Sequence, residues 1–181
     1  MRFSFRKTMS LLAALAILGG CSATRTQESP GEVVDDSVLT AKVKSALIAD
    51  PVTKARQINV ETYRGVVQLG GFVDNADEKA QATKVAGGIT GVKEVRNDLR
   101  VSSPQSTEQA VDDATLTASV KAKLIEDSTT KAYHINVETQ KGIVQLTGFV
   151  NSNDEKSRAA ELARNVNGVV DVKNDLEIRQ N

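Results

Sequence analysis

The sequence predicts an α+β protein built from two tandem domains. Each is an α-β-β-α-β unit, a three-stranded mixed sheet covered on one face by two helices. Three observations carry this reading. Asp36–Val101 aligns with Asp113–Ile178 at an offset of about 77 residues without a gap, and about 35 of the 66 pairs are identical. Within each copy the apolar period changes from helical to alternating and back. Glycine-containing turns punctuate the changes.

The elements follow in order. Leu39, Val43 and Leu47 recur at i, i+4, i+8, matched by Leu116, Val120 and Leu124, so each copy opens with a helix that has one apolar face. Asp36 or Ser37 is placed to cap the first of these helices. Ile58, Val60 and Thr62 alternate with polar residues as a half-buried strand does. After Arg64-Gly65, Val67, Leu69, Gly71 and Val73 share one face; Lys141-Gly142 precedes Val144, Leu146, Gly148 and Val150 in the second copy. These are two hairpins. Gly71 and Gly148 are expected to lie under a helix, where a missing side chain permits close approach. Phe72 and Phe149 face the other way, among polar residues, as partly buried strand-end aromatics, or as contacts through which the domains dock or a client is held. Ser152 with Glu155 fits a capping box, and Asn75 with Glu78 is its weaker equivalent. The second helices bury Ala82, Val85, Ala86 and Ile89, matched by Ala159, Leu162, Ala163 and Val166, and end near Gly91 and Gly168. A last strand places Val95, Leu99 and Val101 inward, matched by Val172, Leu176 and Ile178.

Composition narrows the chemistry. Lys plus Arg and Asp plus Glu are both 23, so no electrostatic pull toward nucleic acid exists. One Cys and one His exclude an internal disulfide and multi-histidine metal sites. Aromatic residues are 3%, too few for base-stacking platforms.

Residues 1–21 read as a lipoprotein signal peptide. Arg2, Arg6 and Lys7 precede an apolar run, Met9 to Leu18, too short to span a bilayer, which takes about 20 residues. The run ends in Leu18-Gly19-Gly20-Cys21, which resembles a bacterial lipobox and makes Cys21 the expected acylation site. Ser22 after it favours delivery to the periplasmic face of the outer membrane, with a soluble periplasmic protein as the alternative. Without residues 1–21 the chain holds about three more acidic than basic residues. Residues 22–35 read as a tether, 102–112 as a linker and 179–181 as a tail.

The strand pattern G-x-V-x-L-x-G-x-V appears as Gly65–Val73 and, with Ile143 in place of the first Val after Gly142, as Gly142–Val150. A later V-x-x-V-x-N-x-L spans Val92–Leu99 and Val169–Leu176. In this order the elements resemble the BON domain, over nearly all of the chain after residue 35. The resemblance implies periplasmic location, protection under osmotic stress, binding to phospholipid surfaces, and neither catalytic residues nor a cofactor.

The candidate residues are weighed on that footing. His134 faces Gln57 in the repeat, a substitution that an obligatory acid–base residue does not tolerate. Asp77-Glu78 and Asp154-Glu155 sit at helix N-termini, where they complement the macrodipole. The expected lipid contact is the first helix of the second copy: Lys121 and Lys123 beside Leu116 and Val120, joined by Tyr133 where copy one has Arg56. Copy one carries Lys42 and Lys44, of which Lys44 matches Lys121, while Ser119 stands for Lys42 and Ala46 for Lys123. Gly65, Gly71, Gly91, Gly142, Gly148 and Gly168 are expected structural glycines. Anionic phospholipid is the expected partner. Two other roles stay open on the residues: a holdase-like chaperone for envelope protein clients, and an adaptor tethering another envelope protein.

Overall fold

The computed structural model describes residues 30–53, 58–104, 106–130 and 134–179. Cys21 and Tyr133 lie outside them, as do residues 22–29 of the expected tether. The first unit comprises α1 (Pro30–Ala49), β1 (Ile58–Tyr63), β2 (Val66–Val73), α2 (Ala76–Gly87), β3 (Glu94–Asn97) and β4 (Arg100–Val101). The second comprises α3 (Thr107–Glu126), β5 (Ile135–Gln140), β6 (Ile143–Val150), α4 (Asn153–Arg164), β7 (Asp171–Asn174) and β8 (Glu177–Ile178).

In each unit a hairpin supplies the centre and one edge of the sheet. β1 runs antiparallel to β2 with Ile58 opposite Gly71 and Tyr63 opposite Val66; β5 and β6 repeat the register. β3 and β4 both run parallel to β2, as two segments of one edge strand interrupted at Asp98-Leu99. Asn97 accepts the Leu99 amide at 3.1 Å through its side chain, and the interruption turns Leu99 fully into the core. Val101 and Ile178 are not inward as the alternation suggested. They end the sheet, 53% and 37% exposed.

The apolar faces assemble two separate cores. Val43, Leu47, Val60, Val67, Leu69, Ala82, Ala86 and Leu99 fill the first, and their equivalents fill the second. Alanine on α2 and α4 sets the helices close to the sheet, so little side-chain entropy is lost for the area buried.

Both opening helices start earlier than the sequence suggested. α1 begins at Pro30, inside the expected tether, where a proline suits the first turn. α3 begins at Thr107, inside the expected linker, and Ser106 with Gln109 closes a full capping box. Asp36 and Asp113 therefore do not cap. They sit within the helices, 7% and 4% exposed, and reach across to the hairpin turns. Asp36 accepts the amides of Arg64 and Gly65, and Asp113 those of Lys141 and Gly142, at 2.5–2.9 Å.

The polar faces of the two sheets pack on each other, giving four layers in the order helices, sheet, sheet, helices. Gln68 and Gln145 are the centre of this contact, each 1% exposed. The Gln68 side-chain oxygen accepts the Gly148 amide, and the Gln145 oxygen accepts the Gly71 amide, both at 2.7 Å. Their amide nitrogens donate to Asp175 and Asp98 carbonyls at 2.7 and 2.8 Å. Asn59 donates to Glu138, and Asn136 to Glu61, each at 2.9 Å. Phe72 and Phe149 are buried, and Phe149 lies 5.5 Å from Tyr63 across the boundary. Phe149 thereby serves the docking of the domains.

The contact departs from two-fold symmetry where the charges lie. Arg100 grips Asp175 through both carboxylate oxygens, at 3.0 and 2.9 Å, and Arg96 pairs with Glu177. At the pseudo-axis Gly70 meets its own counterpart, Thr147. A Cβ on Gly70 would stand 2.6 Å from the Thr147 methyl, so one threonine fits there and two do not.

Candidate functional site

The solvent face of α3 is the surface that the expected lipid contact needs. Lys121 and Lys123 are both exposed. At about 100° per residue they leave the helix roughly 200° apart, one on each flank of the exposed face. Between and beside them lie Val111, 62% exposed, and Ile125, 73% exposed. That is a mildly apolar face edged by two cations, whose stems can lie along it while the ammonium groups reach outward. Val120 does not belong to it. It is fully buried in the second core, and Leu116 is partly buried against the same core and over Gly168. The apolar stripe read from the sequence is the core face, and the lysines only border it. Val111 and Ile125 were missed, although Ile125 repeats Ile48, which is 69% exposed on α1. An isoleucine held off the buried stripe in both copies was the available signal.

The loops around this helix are held by backbone geometry. Lys141 and Gly142 both have positive φ, 54° and 74°, the turn that matches hairpin twist. Gly71 and Gly148 also have positive φ, 116° and 125°, and at Gly148 it is the neighbouring backbone, not a helix, that crowds the position. A Cβ on Gly148 would meet the His134 carbonyl oxygen at 1.9 Å, the backbone of the paired strand. The kink turns the Gly148 amide to Gln68 of the other domain. The remaining structural candidates, Gly65, Gly91 and Gly168, have φ of 81°, 105° and 95°.

The acidic pairs complete helix ends. Asn75 accepts the Glu78 amide while Glu78 accepts the Asp74 amide; Ser152, Glu155 and Asn151 repeat the arrangement. No cluster of three or more His, Cys, Asp or Glu side chains able to hold a metal occurs among the described residues. Nor is any helix among them long and apolar enough to cross a membrane.

A cleft of about 280 Å³ opens where the domains meet, lined by Glu61, Tyr63, His134, Phe149 and Arg179. Arg179 lies over the Tyr63 ring at 5.3 Å. Burial, and then the Arg179 cation, lower the pKa of His134, against the weaker opposite pull of Glu61 and Glu155. The ring is held toward its neutral form.

The chain matches the BON domain family twice, over residues 35–103 and 112–180. It belongs to the BON-domain family. Among relatives, it is 40% identical over 151 residues to the osmotically-inducible protein Y of Escherichia coli, covering 82% of this chain and 75% of that protein. It is 38% identical over 160 residues to the outer membrane lipoprotein DolP of Haemophilus influenzae, covering 86% and 82%. It is 37% identical over 142 residues to a 21 kDa hemolysin of Actinobacillus pleuropneumoniae, covering 78% and 73%. In each BON domain of this chain the opening helix and the hairpin turn are bound into one unit by the buried aspartate. The α3 face and the Lys141 turn therefore present a rigid surface.

Proposed function

We propose that this protein is a non-catalytic cell-envelope lipoprotein that docks on anionic phospholipid surfaces through α3 of its second BON domain and supports envelope integrity under osmotic stress. The observation that carries the reading is the exposed α3 face, with Val111 and Ile125 at its surface and Lys121 and Lys123 at its flanks. Each lysine near a charged bilayer contributes about 1 kcal/mol. The names of the relatives, one an outer membrane lipoprotein and one osmotically inducible, support the setting. Cys21, at the end of the lipobox-like run, is the anchor in this account, and it places the protein at the periplasmic face of the outer membrane.

Two experiments test the parts separately. Cys21→Ser should abolish incorporation of labelled fatty acid and leave an unprocessed precursor; label retained on the variant, or absent from the parent, contradicts the anchor. Docking is tested on the chain from residue 22 onward, so that no anchor answers for it. Flotation with vesicles containing phosphatidylglycerol should bring the protein to the top fraction. Failure to float, together with suppression of aggregation of an unfolded envelope protein, would favour the holdase reading instead.

A further inference from the structure

The cleft where the domains meet takes its walls from both of them. Glu61 and Tyr63 come from β1 of the first domain, and His134, Phe149 and Arg179 from the second. Three of these residues belong to this cleft and not to the repeat. The positions equivalent to Tyr63, His134 and Arg179 hold Gln140, Gln57 and Ser102, which supply neither a phenol nor a cation.

Two donors among the lining residues are unspent. The Tyr63 hydroxyl and the Arg179 Nε are buried with no hydrogen-bond partner among the described residues. A buried donor left in that state is costly unless something accepts from it. Arg179 is engaged through its face, with the guanidinium carbon 5.3 Å from the centre of the Tyr63 ring. Stacking uses that face, whereas the Nε–H lies in the guanidinium plane and stays open to an acceptor. With His134 held toward its neutral form, Arg179 is the one cation lining the cleft.

The two acids of the cleft differ. Asp36 gives both oxygens to the Arg64 and Gly65 amides. Glu61 accepts the Asn136 amide on Oε1 alone, and no described group donates to its Oε2. A cationic donor beside a phenol on one side, with an unspent carboxylate oxygen on the other, matches a ligand that carries both charges. The volume of about 280 Å³ is at the lower end for ligand pockets, which start near 300 Å³, and suits a molecule of amino-acid size.

We infer that the cleft between the BON domains binds a free amino acid, its carboxylate received by the Tyr63 hydroxyl and Arg179 and its ammonium by Glu61. Such a ligand touches both domains and fastens one to the other. The α3 face takes no part, so the inference does not rest on the docking reading, and a failure of flotation leaves it standing.

The test uses the chain from residue 22 onward and each free amino acid in turn. At least one should raise the melting temperature, as a ligand of the folded state does. Its deaminated acid and its decarboxylated amine should each bind more weakly by about tenfold or more. Tyr63→Phe keeps the ring on which Arg64 and Arg179 lie and removes only the hydroxyl. Because that hydroxyl has no partner in the protein, the variant should melt no lower without ligand, yet bind the amino acid about tenfold more weakly. Glu61→Gln keeps an acceptor for Asn136; it should weaken the amino acid and spare the deaminated acid. The inference is overturned if no amino acid raises the melting temperature, if the deaminated acid binds as well as its parent, or if Tyr63→Phe either binds as tightly or melts lower without ligand.

Discussion

In both BON domains a buried carboxylate, Asp36 or Asp113, holds the hairpin turn, and a buried glutamine, Gln68 or Gln145, crosses to the other sheet. Around these shared parts the first domain carries Lys42, Lys93, Arg96 and Arg100 where the second carries Ser119, Val170, Lys173 and Glu177. Identity between the copies includes the groups that satisfy buried polar atoms, which cannot be lost cheaply. The differences include charge. At the sheet–sheet contact that difference makes the two domains partners for each other: Arg96 and Arg100 of the first meet Glu177 and Asp175 of the second. Two copies of the first domain packed in the same way would set Arg96 against Arg100. On the outer helices the same divergence gives the two domains different surfaces.

The largest expected effect concerns the shared part. Asp113→Ala strips both partners from the buried turn amides of Lys141 and Gly142, and should destabilise the second domain by about 3 kcal/mol. Asp36→Ala should do the same to the first. Urea unfolding followed by amide signals in each hairpin reads the two separately. Losses below about 1 kcal/mol, or clearly unequal ones, would mean that the turns are not held in the same way.

A smaller effect is expected at the pseudo-axis. Gly70→Thr puts two threonines where one fits, and should cost about 1–3 kcal/mol through overpacking at the domain contact. The amide shifts of Gly71 and Gly148 should move together, since each donates to the other domain's glutamine. Thr147→Gly in the same chain should restore them. Failure of that rescue would remove the steric account of the asymmetry.

The smallest effect is a pH dependence at the junction. Folding lowers the His134 pKa, so the unfolded chain takes up the proton first as pH falls. The stability that goes with the neutral ring is complete above the ordinary histidine pKa, about 6.5, and is lost as pH drops from there through the lowered value. The melting temperature should fall slightly more between neutral and mildly acid pH in the parent than in His134→Gln, which installs the Gln found at position 57. An identical profile in both proteins would contradict this.

Much of the fold was legible in the residues. The repeat shows by direct alignment, and the helix faces, the hairpins and the caps at Asn75 and Ser152 leave local signatures, because each depends on neighbours within a few positions. What was not legible depends on long-range partners. Gln68 and Gln145 alternate with the core residues of their strands and carry no local sign of burial; only the second sheet makes them buried. Asp36 read as a cap because the turn it serves is 28 residues away. At the candidate site Lys121 and Lys123 were found from charge on a helix. Val120 was misassigned because one apolar stripe cannot serve both core and surface.

The central claim is that two domains with one scaffold divide their surfaces, the second taking the bilayer. Flotation of the chain from residue 22 onward with phosphatidylglycerol-containing vesicles, at low and moderate salt, tests it most directly. Lys121→Glu with Lys123→Glu should remove most of the floated protein, by about tenfold or more from two lysines near a charged surface. Lys42→Glu with Lys44→Glu should remove clearly less. Equal losses from the two pairs, or no flotation of the parent, would contradict the account.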